Sequence, residues 1–323
     1  MKRWALVALA VLAAACSPSG RHAAAPAPAP TTAPTTAAPT TAAGAAVCAP
    51  PHGPGLSVQS FVFDGERRTY QLYVPMSYDG AHRVPAVFEF HGYGSNAFEQ
   101  VYYGNFMPLA NRYGFIIVAP NGQGRPLHFN LTGEPGLQDD VAMVGALLDH
   151  VEATMCVDPD RVYATGMSDG GAMSSVLACK DADRFAAFGA VAVVLYSPGC
   201  GGTRHTAIAA FSGTADPIVP FNGGTVRCCG GPSVAAAPVA MADWAAHDGC
   251  ASPPTDDQLS SQVDRRTWAG CDGTGSVVFY VIDGGGHTWP GSAFPIPFLG
   301  MTTEQISASD TIWAFFEAHP LAA

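Results

Sequence analysis

The sequence predicts an α/β domain with a mostly parallel central sheet that helices cover on both faces. Three short apolar runs, VPAVFEF (84–90), GFIIVAP (114–120) and RVYATG (161–166), have the near-continuous hydrophobicity of buried parallel strands. A segment with one apolar helical face, 138–155, lies between the second and the third run. Strands that alternate with helices along a chain are typical of a layered fold with a parallel sheet.

The other segments continue this alternation. The first of them, RTYQLYVP (68–75), alternates between polar and apolar residues, as an edge or antiparallel strand does. Further strands are predicted by the apolar runs at 187–196, 206–213 and 276–284, and further helices at 233–249 and 303–319.

Composition and charge exclude several classes of protein. The chain has 323 residues, of which 48% are hydrophobic, and this is enough for one large domain with a substantial core. Lys and Arg number 15 against 26 Asp and Glu, which gives a net charge of −11. We therefore expect no nucleic-acid partner, because binding phosphates needs a basic face. We also expect no attraction to anionic lipid through charge.

The N-terminal segment predicts export. Residues 1–15 combine two basic residues with a short apolar run, which is the pattern of a signal peptide and falls short of the ~20 apolar residues of a membrane span. Small residues precede Cys16 and resemble a lipobox, which predicts lipidation of Cys16; an ordinary cleaved signal peptide is the alternative. The Ala/Pro/Thr-rich segment 16–47 has nothing to bury and predicts an extended tether. We therefore expect an extracellular or cell-surface domain over 48–323 that meets the membrane only through a lipid anchor.

The cysteines also fit an oxidising compartment. Nine are present, and setting aside Cys16 leaves an even number, which allows about 105 pairings. Cys250 and Cys271 flank one excursion between a helix and a strand, which favours a bridge between them. Cys156 precedes the strand at 161–166 and Cys179 ends the helix after it, so a second bridge is expected there. Four cysteines stay unassigned: Cys48, Cys200, Cys228 and Cys229.

A G-x-S-x-G pentapeptide occupies 166–170, where a predicted strand meets a small-residue helix. Glycines on both sides permit a sharp strand-to-helix turn that exposes the hydroxyl of Ser168 above the sheet. The N-terminus of the helix supplies positive potential where an oxyanion develops. The pattern therefore predicts that Ser168 is a nucleophile; the alternative is a structural serine that caps the helix.

A serine hydroxyl is a weak nucleophile unless a base takes its proton. His287 follows the last predicted strand in the glycine-rich stretch GGGHTWPG, where a loop can approach the serine closely. An acid must orient the imidazole, and Asp216 follows the strand at 206–213 at the end where sites of such sheets lie. Asp283 is nearer to His287 in sequence but is expected to remain in its strand and point elsewhere.

An oxyanion hole requires two backbone donors. The N–H of Asp169 follows the nucleophile and is the first, and the second is expected from Tyr93, with Gly92 as the alternative, in the loop HGYGS after an early strand. His91 is expected to hydrogen-bond within this loop. Three side chains near the site loops are expected to contact substrate, although half or more of such side chains only pack: Tyr93, Met167 and Trp289.

The order and wording of four motifs, HGYGS, GMSDGG, GTADPIVP and GGGHTWPG, resemble the polyhydroxybutyrate depolymerase and feruloyl esterase group of the α/β-hydrolases. This group overlaps carbohydrate esterase family 1, and the resemblance covers roughly 54–320. It implies the α/β-hydrolase fold, with Ser168 as nucleophile, Asp216 as acid and His287 as base. Asp169 departs from the pattern, because asparagine is expected there in many relatives.

The resemblance implies an exported serine hydrolase that cleaves carboxylic esters through an acyl-enzyme and needs no metal or organic cofactor. The chain also has neither a CxxC pair nor an HExxH motif, which argues against a metal site. Feruloyl or acetyl esters of polysaccharide, or related small esters, are the expected substrates. A polyhydroxyalkanoate depolymerase or oligomer hydrolase is the alternative, and a non-catalytic binding lipoprotein is a remote one. The oligomeric state stays open.

Overall fold

A ten-stranded sheet forms the centre of the domain. The computed structural model describes Cys48 and residues 52–131, 133–200 and 204–321. The predicted signal peptide, the tether and Cys16 lie outside the described residues. No helix within the described ranges combines the length and the apolar character that crossing a bilayer requires.

The strands of the sheet run parallel in its middle and antiparallel at its edges. The described part of the chain has twelve strands in all, ten of them in this sheet: β1 (Gly55–Phe63), β2 (Glu66–Val74), β3 (Val84–Phe90), β4 (Ile116–Pro120), β5 (Val157–Met167), β6 (Ala187–Val191), β7 (Ala207–Gly213), β8 (Gly224–Thr225), β9 (Ser233–Val234), β10 (Thr255–Ser260), β11 (Val263–Trp268) and β12 (Ser276–Ile282). Their order in the sheet is β1-β2-β4-β3-β5-β6-β7-β12-β11-β10, and β8 and β9 form a separate hairpin. From β4 to β12 in that order, all neighbours pair in parallel. The prediction of a mostly parallel sheet is confirmed.

Helices cover both faces of the sheet. Their bounds are α1 (Ala97–Gly104), α2 (Met107–Tyr113), α3 (Asp140–Thr154), α4 (Asp169–Lys180), α5 (Ala237–His247) and α6 (Ala308–Glu317). Successive side chains of β3 point to opposite faces, so Phe88 and Phe90 pack in the core beneath α3, α4 and α5, whereas Val87 packs beneath α1, α2 and α6. Burying each of these side chains contributes about 1.5–3 kcal/mol.

Four disulfides tie the loops together in the described part of the chain: Cys48–Cys156, Cys179–Cys200, Cys228–Cys229 and Cys250–Cys271. The expected bridge between Cys250 and Cys271 is present. The expected bridge between Cys156 and Cys179 is wrong, although each of the two cysteines does form a bridge.

Lateral position along the sheet explains that error. Cys156 lies beside the start of β3, where its N–H donates to Tyr78 Oη at 2.8 Å. Helix α4 instead crosses toward the loop that follows β6, where the N–H of Leu195 donates to Ser175 Oγ at 3.1 Å. The sequence could place Cys179 at this end of the sheet, but it could not show which strand lies beside it. The partner of Cys179 is Cys200, in the loop that follows β6.

A buried carboxyl group lies between β3 and α1. Glu89 is 0% exposed, and its Oε1 accepts a hydrogen bond from Gln100 Nε2 at 3.0 Å. Its Oε2 has no hydrogen-bond partner among the described residues. Burial raises the pKa of Glu89 from 4.5 to about 8, and the hydrogen bond from Gln100 opposes this only partly. The side chain is therefore neutral at pH 7.

This raised pKa predicts that replacing Glu89 by glutamine changes the pH dependence of stability. The contribution of neutral Glu89 to the free energy of unfolding is fully present below the unfolded-state pKa near 4.5. It is lost as the pH rises through the folded-state pKa of about 8. Glu89→Gln removes this titration without changing the shape of the side chain. We expect the variant to gain about 1.4 kcal/mol on wild type per pH unit between about pH 5 and 8, as measured by urea unfolding. Glu66→Gln, at an exposed position, is the control, and parallel pH profiles for Glu89→Gln and wild type would contradict the assignment.

Candidate active site

Ser168 lies at the sharp turn between β5 and α4. Its backbone has φ 56° and ψ −118°, a conformation that residues other than glycine rarely adopt. Its hydroxyl makes no capping hydrogen bond to α4, so Ser168 is not held there as a helix cap. The strained turn exposes Ser168 to two neighbouring grooves, which is the placement expected of a nucleophile on a strand-to-helix elbow.

Two glycines let α4 begin this close to the sheet. A Cβ atom on Gly170 would overlap the carbonyl oxygen of Phe90 at the end of β3. A Cβ atom on Gly171 would lie 2.7 Å from the carbonyl oxygen of Val193, which follows β6. The glycines of the pentapeptide and its flank therefore serve close backbone packing around Ser168.

His287 and Asp216 form a buried, hydrogen-bonded pair. His287 Nδ1 lies 2.7 Å from Asp216 Oδ2, and the two side chains are only 5% and 3% exposed. The other carboxylate oxygen, Oδ1, accepts from the N–H groups of Ile218 at 2.7 Å and Val219 at 2.8 Å. Because a carboxylate only accepts, the tautomer that fits this contact has its proton on Nδ1, which leaves Nε2 unprotonated, as a general base requires. His287 lines the same groove as Ser168.

The loops that carry the pair are joined by backbone hydrogen bonds. The N–H of Ala215 donates to the carbonyl of Gly285 at 2.9 Å, which links the loop after β7 to the loop after β12. Asp283 is exposed, and its Oδ1 accepts from Thr214 Oγ1 at 3.2 Å. Asp283 therefore bonds to the loop after β7 and not to His287, although it lies in the turn that follows β12 and not within the strand, where it was expected.

The two expected oxyanion donors flank Ser168. In the described part of the chain, no acceptor takes the N–H of Tyr93 or of Asp169. His91 is fully buried, and its Nε2 accepts from the N–H of Gly122 at 2.9 Å while its Nδ1 donates to the carbonyl of Gly92 at 2.8 Å. Burial lowers the pKa of His91 and keeps it neutral. Because a peptide unit is planar and trans, holding the Gly92 carbonyl turns the N–H of Tyr93 to the opposite side.

A buried ion pair that the sequence did not reveal lies next to the loop 121–130. Arg68 Nη2 lies 2.7 Å from Asp140 Oδ1, and both side chains are nearly inaccessible. Asp140 Oδ2 also accepts from the N–H of Asn130 at 2.7 Å. From the sequence, Asp140 was only an acidic residue at the start of a helix. In the structure it holds Asn130 in the 121–130 loop, and Gly122 of that loop donates its N–H to His91.

The carboxylate of Asp169 is hydrogen-bonded to the loop that contains Phe129. Its Oδ2 accepts from the N–H of Phe129 at 2.7 Å. Burial raises the pKa of Asp169 to about 6, and the hydrogen bond from Phe129 and the nearby His128 partly oppose this shift. The side chain therefore anchors the 121–130 loop, while the backbone N–H of Asp169 has no acceptor among the described residues.

Two apolar grooves meet at Ser168. The first, which we call the α4 groove, has a volume of about 610 Å³ and lies between α4, the 193–199 segment and the hairpin of β8 and β9. The second, the aromatic groove, has a volume of about 620 Å³ and lies between α1 and the 294–299 segment. Tyr93 lines both grooves and Met167 lines the aromatic groove, so both are placed where a substrate could touch them.

Trp289 does not reach either groove. It is 1% exposed, and its indole N–H donates to Ser309 Oγ at 2.9 Å. Its ring packs edge-on against Phe106. The expectation that Trp289 contacts substrate is wrong in this structure, because these contacts use the side chain to anchor the loop that carries His287.

Comparison with known proteins gives consistent matches over most of the chain. A family model described as "Esterase PHB depolymerase" matches residues 68–276. The putative esterase NocK of Nocardia uniformis subsp. tsuyamanensis is 28% identical over 94% of this chain and 95% of its own length. Feruloyl esterase C of Emericella nidulans is 31% identical over 83% of this chain and 93% of its own length.

Solved structures share the architecture at low sequence identity. An acetyl xylan esterase from Aspergillus awamori aligns with a TM-score of 0.59 at 16% identity, covering 81% of this chain and 99% of that one. An S-formylglutathione hydrolase from Agrobacterium tumefaciens aligns with a TM-score of 0.53 at 14% identity, covering 81% of this chain and 94% of that one. At such identities the likeness shows the fold alone, and it confirms the expected α/β-hydrolase fold.

Proposed function

Because the chain belongs to the esterase PHB depolymerase family, we propose that it hydrolyses carboxylic esters with Ser168 as the nucleophile. The observation that carries this proposal is the hydrogen bond between His287 Nδ1 and Asp216 Oδ2, which are 2.7 Å apart. His287 lines the same groove as Ser168. A nucleophile, a base with a fixed tautomer and two free backbone donors are the parts that acyl transfer needs.

The chemistry runs in two half-reactions. Ser168 Oγ attacks the ester carbonyl carbon while His287 Nε2 takes the hydroxyl proton, and Asp216 stabilises the imidazolium that forms. The carbonyl oxygen becomes an oxyanion between the N–H groups of Tyr93 and Asp169. When the bond to the alcohol oxygen breaks, His287 donates its proton to that oxygen and the acyl-enzyme remains. His287 then takes a proton from water, which attacks the acyl carbon; the bond to Ser168 Oγ breaks, His287 returns the proton to that oxygen, and the acid is released.

The two grooves that meet at Ser168 leave room for a large group on either side of the ester bond. Phe294 and Phe298 are 55% and 76% exposed, and with Phe98 and Tyr102 they form an accessible aromatic surface beside Ser168. Exposed aromatic rings stack against apolar or ring-shaped groups, and this suits a sugar chain or a polyester. Feruloyl or acetyl esters of polysaccharide, or related small esters, are the proposed substrates, in line with the names of the fungal relatives. Polyhydroxyalkanoate oligomers are the second candidate, which the family description favours.

A substrate panel tests this function. We expect hydrolysis of p-nitrophenyl butyrate and methyl ferulate, and the ratio of kcat/KM between acetylated xylan, methyl ferulate and hydroxybutyrate oligomers decides between the two candidates. Ser168→Ala, assayed in parallel, accounts for background hydrolysis. If no ester in the panel is cleaved in a manner that depends on Ser168, the proposed function fails.

Export and a lipid anchor at Cys16 belong to the same proposal. The basic and apolar residues of 1–15 and the tether at 16–47 support it. One acyl chain anchors weakly, so firm retention needs more than one chain on Cys16. We expect the wild-type protein to partition into the detergent phase after cell fractionation, and Cys16→Ala to leave that phase. Unlipidated wild-type protein, wholly in the medium, would contradict the anchor and leave the esterase assignment untouched.

A further inference from the structure

The position of His287 distinguishes the two grooves. Once the oxyanion lies between the N–H groups of Tyr93 and Asp169, the acyl carbon chain and the alcohol oxygen leave the reacting carbon in different directions. The alcohol oxygen must lie within hydrogen-bond reach of His287 Nε2, because His287 protonates it. His287 lines the aromatic groove and is not part of the wall of the α4 groove. The alcohol half of the ester therefore fits the aromatic groove.

The wall of the α4 groove contains a disulfide between adjacent residues. Cys228 and Cys229 are bonded to each other at the tip of the hairpin that β8 and β9 form, and both line the groove. The tip is closed by two backbone hydrogen bonds, from Val226 to Pro232 and from Gly231 to Cys228, each 2.8 Å long. Both cysteines are half-buried, and their disulfide adds an apolar group to the wall of the groove.

Most of the lining of this groove is apolar, and two of its polar side chains, Ser175 and Asp169, are already hydrogen-bonded. Ser175 Oγ donates to the carbonyl of Gly171 at 3.0 Å and accepts from the N–H of Leu195. The carboxylate of Asp169 accepts from Phe129, and Lys180 is exposed to solvent. Cys179, which also lines the groove, is bonded to Cys200 and ties the end of α4 to the opposite loop. The groove is therefore an apolar slot with two disulfides fixing its walls.

We propose that the α4 groove binds the acyl half of the ester, with an apolar acyl group longer than acetyl packed against the Cys228–Cys229 disulfide. The alcohol half then departs through the aromatic groove. This inference rests on the proposed function and adds to it the direction in which the ester binds and the residues that select the acyl group. A volume of about 610 Å³ accommodates an alkyl or aromatic acyl group of substantial size.

Two series of esters test the direction. The acyl series is p-nitrophenyl acetate, butyrate and octanoate, which share one alcohol. The alcohol series is methyl, hexyl and benzyl butyrate, which share one acyl group. Each methylene that packs in the groove is expected to raise kcat/KM about fourfold, so the acyl series reports directly on the contact with the groove.

Two variants alter the α4 groove in different ways. Val176→Phe adds bulk from α4 to the groove and keeps every cysteine, and Cys228→Ser combined with Cys229→Ser removes the disulfide from its wall. We expect each to lower the octanoate-to-acetate ratio of kcat/KM by about tenfold or more and to leave the ratios within the alcohol series unchanged. Phe298→Ala, in the aromatic groove, should change the ratios of kcat/KM within the alcohol series and leave the octanoate-to-acetate ratio unchanged. Val239→Phe is the matched control, because Val239 is 52% exposed on α5 and lines neither groove.

The outcomes separate this inference from the proposed function. If Val176→Phe changes the alcohol series instead, or changes all esters equally, the direction is overturned. An unchanged octanoate-to-acetate ratio in Val176→Phe overturns it as well, and this holds even if the cysteine variant does not fold. Hydrolysis of p-nitrophenyl acetate by wild type, lost in Ser168→Ala, tests the proposed function separately, so the direction can fail while the function stands.

Discussion

Replacing Ser168 by alanine is expected to lower kcat for p-nitrophenyl butyrate by about 10⁴- to 10⁶-fold, because no other group then forms the acyl-enzyme. The fold should survive. The hydroxyl of Ser168 makes no capping bond to α4, and alanine inherits the same strained backbone conformation without adding a new clash. Steady-state kinetics at saturating substrate give the loss in kcat, and thermal unfolding should show a Tm within a few degrees of wild type.

A second serine on α4 provides the matched control for this result. Ser174 is buried, and its Oγ donates to the carbonyl of Gly170 at 3.0 Å within the helix. It lines neither groove, so Ser174→Ala should keep kcat within about tenfold of wild type. If Ser168→Ala kept more than about one hundredth of the wild-type kcat, the site would have been assigned to the wrong residue.

Replacing Asp216 by asparagine is expected to lower kcat by about 10⁴-fold at neutral pH. The N–H groups of Ile218 and Val219 require an acceptor, so the amide oxygen should take the place of Oδ1. The amide NH₂ then faces His287 Nδ1 and donates to it, which moves the imidazole proton to Nε2. An imidazole protonated at Nε2 cannot accept the proton of Ser168, so the nucleophile is not activated.

Asp283→Asn is the control, because Asp283 is the nearer aspartate in sequence. It is exposed and bonds to Thr214, which an asparagine side chain can also do. We expect its kcat to stay within about threefold of wild type, measured beside Asp216→Asn. The opposite pattern, with Asp283→Asn inactive and Asp216→Asn active, would assign the orienting acid to the wrong loop.

The positions of the candidate catalytic residues could be predicted because local sequence determines them. Ser168 lies between glycines that only a tight strand-to-helix turn requires, and Asp216 and His287 each follow an apolar strand of the parallel sheet. In a parallel sheet the carboxyl ends of neighbouring strands lie together, so strand order alone brings these residues to one edge.

Contacts between distant segments could not be predicted in the same way. The run 187–196 is apolar throughout and predicts one long strand, yet β6 ends at Val191. Ala192 has φ 64°, and the chain leaves the sheet where Gly171 of α4 approaches Val193. The partner of Cys156 and the burial of Trp289 depend in the same way on packing that no local pattern records. The strands β10 and β11 were not predicted, because both are mostly polar and lack the alternation of apolar and polar residues that indicates a strand.

The central claim is that Ser168 carries the acyl group, and covalent labelling tests it most directly. The full chain is incubated with a fluorophosphonate, the remaining activity on p-nitrophenyl butyrate is followed, and the digest is mapped by mass spectrometry. We expect one adduct per chain, on the peptide that contains Ser168, appearing at the rate at which activity is lost. An adduct on another residue that accounts for the inactivation, or full activity after complete labelling of Ser168, would contradict the account.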